Sequence, residues 1–404
     1  MDKSFINEIL EKTAYPRVCG TDSEKNAAAY IGKICEELGA EVSYEPFAVD
    51  MYEVKKATFK VGGKDFPCSP FYGVGNCKIS APIIYLPNTE EVELDKVSGK
   101  IVLLDGMGYW LYGDLIEKGA VGVVTYNGNL NIPDRDIAQR EVRYTPKCGK
   151  FIPAINIHAT SAVEIANMSE AVAEIEIEQE KSIGECLNVV AEIKGKSEKT
   201  VVFSAHYDST PESEGAYDNM SGCLGLLYLL EHYLKNPPEY TLKFLFCGGE
   251  ERGLLGSKAY CETYKDELQN CVLNLNLDMI GSIMGKFTAF ASCNKTAEEF
   301  LQNCSKEMKV GMDIKHGLRS SDSNTFADFG VPALSFARYA GSNTAPIHTR
   351  YDTNATVSAE RILADSEIIT EVMDKILFAE ELPIPREIDE KIKEDLDKYF
   401  LRKR

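Results

Sequence analysis

Seven residues of metal-binding or acid–base type stand where apolar runs give way to polar turns. His206 and Asp208 follow the run 201–205, on alternate positions that point to one side of an extended chain, and Asp218 precedes the apolar helical pattern 221–234. Glu250 and Glu251 follow the run 242–247 through Gly248-Gly249, Asp278 interrupts LNLDMIG, and His348 sits in the loop PIHT, followed by Asp352. Imidazole and carboxylate are ligand types that suit zinc. Singly, each signal has a plain alternative: His-x-Asp makes a polar turn, and Glu250-Glu251 a solvated acidic turn capping the next helix. Adjacent like charges are unfavourable without a compensating cation or proton. A carboxylate such as Asp278 inside an apolar run must be paired or metal-bound. Two histidines and three carboxylates leave room for two cations that share one carboxylate, roughly 3.5–4 Å apart.

For these side chains to meet, their segments must end at one edge. Residues 201–205, 242–247, 271–277 and 333–337 are short apolar runs bounded by turn residues, which predicts buried strands; further strands are expected at 187–193 and 287–291. Helical patterns at 221–234, 255–264, 296–308 and 359–380 alternate with them. Apolar strands alternating with helices predict a mainly parallel sheet covered on both faces, with sites at the carboxyl ends of its strands. The chain opens with an amphipathic helix carrying Phe5, Ile6, Ile9 and Leu10, then a second over 23–39 with Ser23 as N-cap and Gly39 as stop, then a strand over 41–49.

From about residue 51 the texture changes to Gly, Pro and short strands (82–86, 100–105, 121–126 and 152–157), with no long helix. The expected fold is therefore α/β: a mainly parallel mixed sheet sandwiched by helices, formed by residues 1–50 and 183–382. Residues 51–182 make an inserted β-rich domain, and 383–404 a charged helical tail, either an interaction arm or a solvated end. His158 reads as a packed or surface residue, His232 as a helix-surface residue and His316 as a loop residue without acidic partners.

With 404 residues, 44 Lys and Arg against 63 Asp and Glu, the net charge is −19. Such a surface repels phosphates and anionic lipid, so neither nucleic acid nor membrane is an expected partner. No run approaches the roughly 18 apolar residues of a membrane span, and the first residues lack the apolar core of a signal peptide. Twelve scattered cysteines without a C-x-x-C pair read as buried thiols, and the expected location is cytoplasmic. The oligomeric state is not legible.

The motifs HYDS, GAYDNMSG, GGEERGLLGS, NLDMIG and PIHT, in that order from Asn188 to Asp352, resemble those of the M28 family of co-catalytic zinc peptidases, mostly aminopeptidases. VSGKIVLLDG and LIEKGAVGVVTYN in the insert resemble the protease-associated (PA) domain that many members carry. The resemblance implies a peptide substrate and two Zn²⁺ per chain, with Co²⁺ or Mn²⁺ as possible substitutes. His206 and Asp278 would bind one ion, Glu251 and His348 the other, and Asp218 both. Glu250 would be the general base and Asp208 would hold the His206 ring. A cis peptide bond is implied between Asp218 and Asn219.

Two departures stand out. Relatives often carry Tyr just before the last histidine, where this chain has Ile347; Tyr339, Arg350 or Tyr351 are candidates to take over its contact with the oxyanion or substrate. Relatives also often have Ser-Asp-His where this chain has Ser321-Asp322-Ser323, beside the substrate pocket. Three rivals remain beside the aminopeptidase. One is a carboxypeptidase or dipeptidase using Arg319, Arg338 or Arg350 for a substrate carboxylate; the others are a one-zinc glutaminyl-cyclase-like acyltransferase and a non-catalytic receptor-like homologue.

Overall fold

The computed structural model describes residues 1–132, 134–143 and 149–404; Cys148 lies outside them. The chain divides into two compact units, Met1–Val49 with Gly184–Arg404, and Asp50–Ile183.

In the larger unit, Thr200–His206 lies at the centre of the sheet, parallel to Thr241–Cys247 on one side and Cys271–Leu277 on the other. Ala333–Tyr339 continues the parallel run beside Cys271–Leu277. The sheet turns mixed at its flanks. Residues 189–193 pair antiparallel with Thr241–Cys247, and Lys286–Ser292 runs antiparallel to Ala333–Tyr339. The two-residue period of a strand decides which core each side chain enters. Val201, Phe203 and Ala205 join a cluster with Ile6, Ile31, Leu227 and Ile369, from the helices Lys3–Lys12, Asp22–Leu38, Ser221–Lys235 and Ala359–Leu377. Val202 instead joins Leu245, Tyr260 and Phe326 on the opposite face, with Leu255–Thr263 and Ser323–Asp328. Both faces are covered, so the central strands are buried over nearly their whole length, which is why they read as mainly apolar runs.

Four local features differ from expectation. The second helix is capped by Thr21, whose side chain accepts from the Glu24 N–H, and not by Ser23. Gly39 ends it as expected, at a φ of 104° that suits glycine. A strand at Asp313–His316 and the helix Ser323–Asp328 are too short to show a period in sequence. The C-terminal segment is neither free arm nor purely solvated: Glu390–Tyr399 buries Ile392 and Leu396 against Ala327 and Ala333.

The smaller unit has four parallel neighbours, Cys77–Tyr85, Ile101–Leu104, Gly122–Asn127 and Ala154–His158. Helices of four to nine residues accompany them (Glu91–Leu94, Tyr109–Glu117 and Ala159–Ala166). Its core is a separate apolar cluster built on Ile101, Leu103, Val123 and Ile155. No helix among the described residues is long and apolar enough to cross a membrane.

Candidate metal centre

The candidate residues sit where the parallel strands end. His206 is the last residue of Thr200–His206, Asp278 follows Cys271–Leu277, and Glu250 and Glu251 follow the turn after Thr241–Cys247. Asp218 lies in the turn before Ser221–Lys235, and the Asp218–Asn219 peptide bond is cis. His348 lies in the loop after Ala333–Tyr339, at a φ of 56° that few non-glycine residues adopt.

Asp218 stands between the two histidines. Its Oδ1 is 3.2 Å from His206 Nε2 and its Oδ2 is 3.1 Å from His348 Nε2. Asp278 Oδ1 is 3.8 Å from His206 Nε2, and Glu251 Oε2 is 3.0 Å from His348 Nε2. Two ligand groups result, His206–Asp218–Asp278 and Asp218–Glu251–His348, each with its donor atoms within 4.8 Å of one another. The first group is buried, whereas the His348 side chain is 50% exposed. Asp278 Oδ1 accepts no hydrogen bond despite its burial, a lone pair that a cation would fill. This set of imidazoles and carboxylates fits zinc.

The electrostatics point the same way. Burial alone would lower both histidines. For His206 the Glu250 charge and the neighbouring carboxylates of Asp208, Asp218 and Asp278 override it and raise the ring well above its usual range. For His348 the bonds to Asp218 and Glu251 carry it up to about 11. Burial would raise Asp218, but its bonds to the two histidines hold it below the usual carboxylate range. Burial would likewise raise Asp278, but the Arg319 charge, with the His206 ring, holds it below its usual range. Burial pushes Glu250 well up, with help from Glu251 against the His206 charge. Histidine ligates only when neutral, and the carboxylates that raise both rings would equally favour a cation between them.

The surrounding shell contains residues whose contacts the sequence announces only in part or not at all. Asp208 Oδ1 is 3.4 Å from His206 Nδ1, but the same carboxylate also accepts from the backbone N–H groups of Glu250 at 3.0 Å and Glu251 at 3.3 Å. It thus links two ligand-bearing strand ends. Asn219 does the same for a third, accepting from Met279 N–H and donating to Leu277 O at 2.9 Å each. Asp352 is buried and accepts from the N–H groups of Tyr217 and Asp218 at 2.8 and 3.0 Å, while burial raises it to about 7. Burial also raises Asp322, to about 6, and neither of its carboxylate oxygens has a hydrogen-bond partner.

Among the candidates for the oxyanion contact, Tyr339 lies under the Arg319 guanidinium, 4.7 Å from carbon to ring centre. Arg319 in turn reaches Asp278 Oδ2 at 2.9 Å. Arg350 and Tyr351 are exposed on the His348 loop. The other histidines stand outside the centre. His158 caps the helix Ala159–Ala166 and is buried. His232 and His316 do have acidic partners, contrary to expectation, at 3.2 Å from Asp374 and 3.0 Å from Asp389, and His316 ends a strand.

Residues 188–373 match the family model described as Peptidase family M28, and that span holds all five candidate ligands. The part of the chain that carries the candidate ligands is thus similar to peptidase family M28. The chain is similar to the aminopeptidase YwaD of Bacillus subtilis (strain 168), 25% identical across 94% of this chain and 85% of that protein. It is also similar to the probable lipoprotein aminopeptidase LpqL of Mycobacterium tuberculosis, 26% identical across 69% of this chain and 58% of that one. Its fold matches the solved structure of BSAP, a zinc aminopeptidase from Bacillus subtilis, with a TM-score of 0.78 at 22% identity, over 96% of this chain and 97% of that one. With this match and these relatives, the chain is a hydrolase of peptide bonds.

Proposed function

We propose that this M28 peptidase is an aminopeptidase working with two zinc ions, one held by His206 and Asp278, the other by Glu251 and His348, with Asp218 serving both. The observation that carries this reading is Asp218, which directs one oxygen to each histidine. When bound, such a pair of cations lowers the pKa of the attacking water and polarises the scissile carbonyl. Glu250, raised by burial, is suited to take the water's proton and deliver it to the leaving amine. Asp208 holds His206 and, through their N–H groups, the two glutamates. An excess of carboxylates around the centre also suits a substrate's free α-ammonium.

Two of the three arginine candidates, Arg319 and Arg338, favour this reading over a carboxypeptidase. Arg338 is committed to Asp365 through Nε and Nη2, and Arg319 to Asp278. A substrate carboxylate would have to displace these partners. The free thiols, most of them buried, suit a reducing compartment, and we place the protein in the cytoplasm on that ground. Residues 51–182 are read as a PA-like domain on the two stretches quoted above.

A panel of aminoacyl-anilides, assayed beside an N-blocked and a C-amidated peptide with metal analysis of the same preparation, tests the reading. Two zinc ions per chain and turnover only of substrates with a free α-amine are expected. Preferential cleavage of the N-blocked peptide would overturn it.

A further inference from the structure

The turn between His206 and Asp218 has no regular secondary structure for most of its length, yet it must fix both ligands. Its backbone is gathered on one side chain that lies almost two hundred residues earlier in the sequence. Arg17, 0% exposed, donates from Nε to Tyr207 O at 2.6 Å, from Nη2 to Gly215 O at 2.9 Å, and from Nη1 to Glu214 O. Nη1 also donates to Thr13 O at 2.8 Å and Tyr15 O at 3.2 Å, which anchors the guanidinium to its own segment. The two backbones meet as well: Arg17 N–H donates to Ser209 Oγ at 2.9 Å, and Ser209 N–H to Arg17 O at 3.2 Å. Gly215 is fitted to this contact. A Cβ there would lie 2.8 Å from Arg17 Nη2, and its φ of 60° already favours glycine.

A buried guanidinium is costly to desolvate, and this one forms no ion pair with any described carboxylate within 4 Å. All five of its side-chain bonds go to carbonyl oxygens. A group that only filled the core would be replaceable by an apolar one at lower cost. A planar fork that joins carbonyls 207, 214 and 215 instead sets the span of the turn whose two ends present His206 and Asp218.

Resting on the proposed di-zinc reading, we infer that Arg17 is a positioning residue for the metal centre, fixing the separation of His206 and Asp218 through the carbonyls of the intervening turn. The test compares Arg17→Gln and Arg17→Lys with the unaltered chain by Zn²⁺ titration, melting temperature and steady-state kinetics. Lys keeps the charge but offers no fork, so it is expected to keep more of the melting temperature than Gln without recovering the site. In both, zinc affinity is expected to fall at least tenfold and kcat at least tenfold, with KM changed less than threefold. If Arg17→Gln does not fold, Arg17→Lys alone decides. A melting temperature lowered with zinc affinity and kcat unchanged within twofold would make Arg17 a fold residue only, and would overturn the proposal. Zinc titration needs no substrate, so a failure of the peptidase reading shows separately, as an unaltered chain that binds zinc without cleaving anilides. An unaltered chain that binds no zinc would overturn both.

Discussion

The two units bury their polar groups in opposite ways. Asp50–Ile183 buries Thr125, Asn156, His158 and Gln179, and no described carboxylate. Thr125 and Asn156 satisfy each other at 2.8 Å, and the Asn156 amide donates to Asn127 and Ala138. The larger unit buries Glu24, Asp208, Asp218, Asp278, Asp322, Asp352 and Asp365, with Arg17 and Arg319 as cations. Neutral networks specify a fold cheaply, whereas unpaired buried charge is kept only where something compensates it. Asp365 has its compensation within the protein, from Arg338 and Gly281 N–H. The carboxylates at the strand ends do not balance without a cation. All the candidate ligands therefore lie in the larger unit, and the smaller one buries only neutral polar groups among its described residues.

Four outcomes would sharpen or break this contrast. Chelation is expected to abolish turnover and to lower the melting temperature of the larger unit only. The lost stabilisation is about 4 kcal/mol where free metal had exceeded its Kd a thousandfold. Equal shifts of both calorimetric transitions would erase the contrast. Glu250→Gln is expected to lose at least about a hundredfold in kcat while keeping its metal, since it removes an acid–base group and no ligand. Asp352→Asn keeps one acceptor for two N–H donors, and a loss of roughly tenfold in kcat/KM is expected from one charge-assisted hydrogen bond. Unchanged kinetics would show that the Asp218 turn holds itself. At the small end, Leu103→Ala in the neutral core should cost about 2–5 kcal/mol of local stability. Its kcat per folded chain should stay within twofold, and a larger change would give the smaller unit a part in the chemistry.

The sequence exposes what is local. Apolar runs at 242–247 and 271–277 correspond to Thr241–Cys247 and Cys271–Leu277, because strands covered on both faces are mostly apolar, with only Lys243, Asn274 and Asn276 breaking those runs. Ligand positions are legible for the same reason: Asp278 is conspicuous directly after seven buried residues. Arg17 and Asp352 are not conspicuous. Their partners lie 190 and 134 residues away, and a guanidinium that bonds carbonyls requires no particular side chain opposite it. The resemblance makes Asp208 a support for His206, but its contacts with Glu250 and Glu251 N–H depend on how two strands end in register. The cap at Thr21 shows a smaller limit, since Thr21 and Ser23 are both good capping residues two positions apart.

Everything proposed for the metal centre turns on one carboxylate, Asp218, holding two cations. Metal content of purified Asp218→Ala beside the unaltered chain tests it directly. Two zinc ions per unaltered chain are expected, and a large loss of both in the variant, with its far-ultraviolet spectrum retained. A full zinc complement in Asp218→Ala would contradict the account.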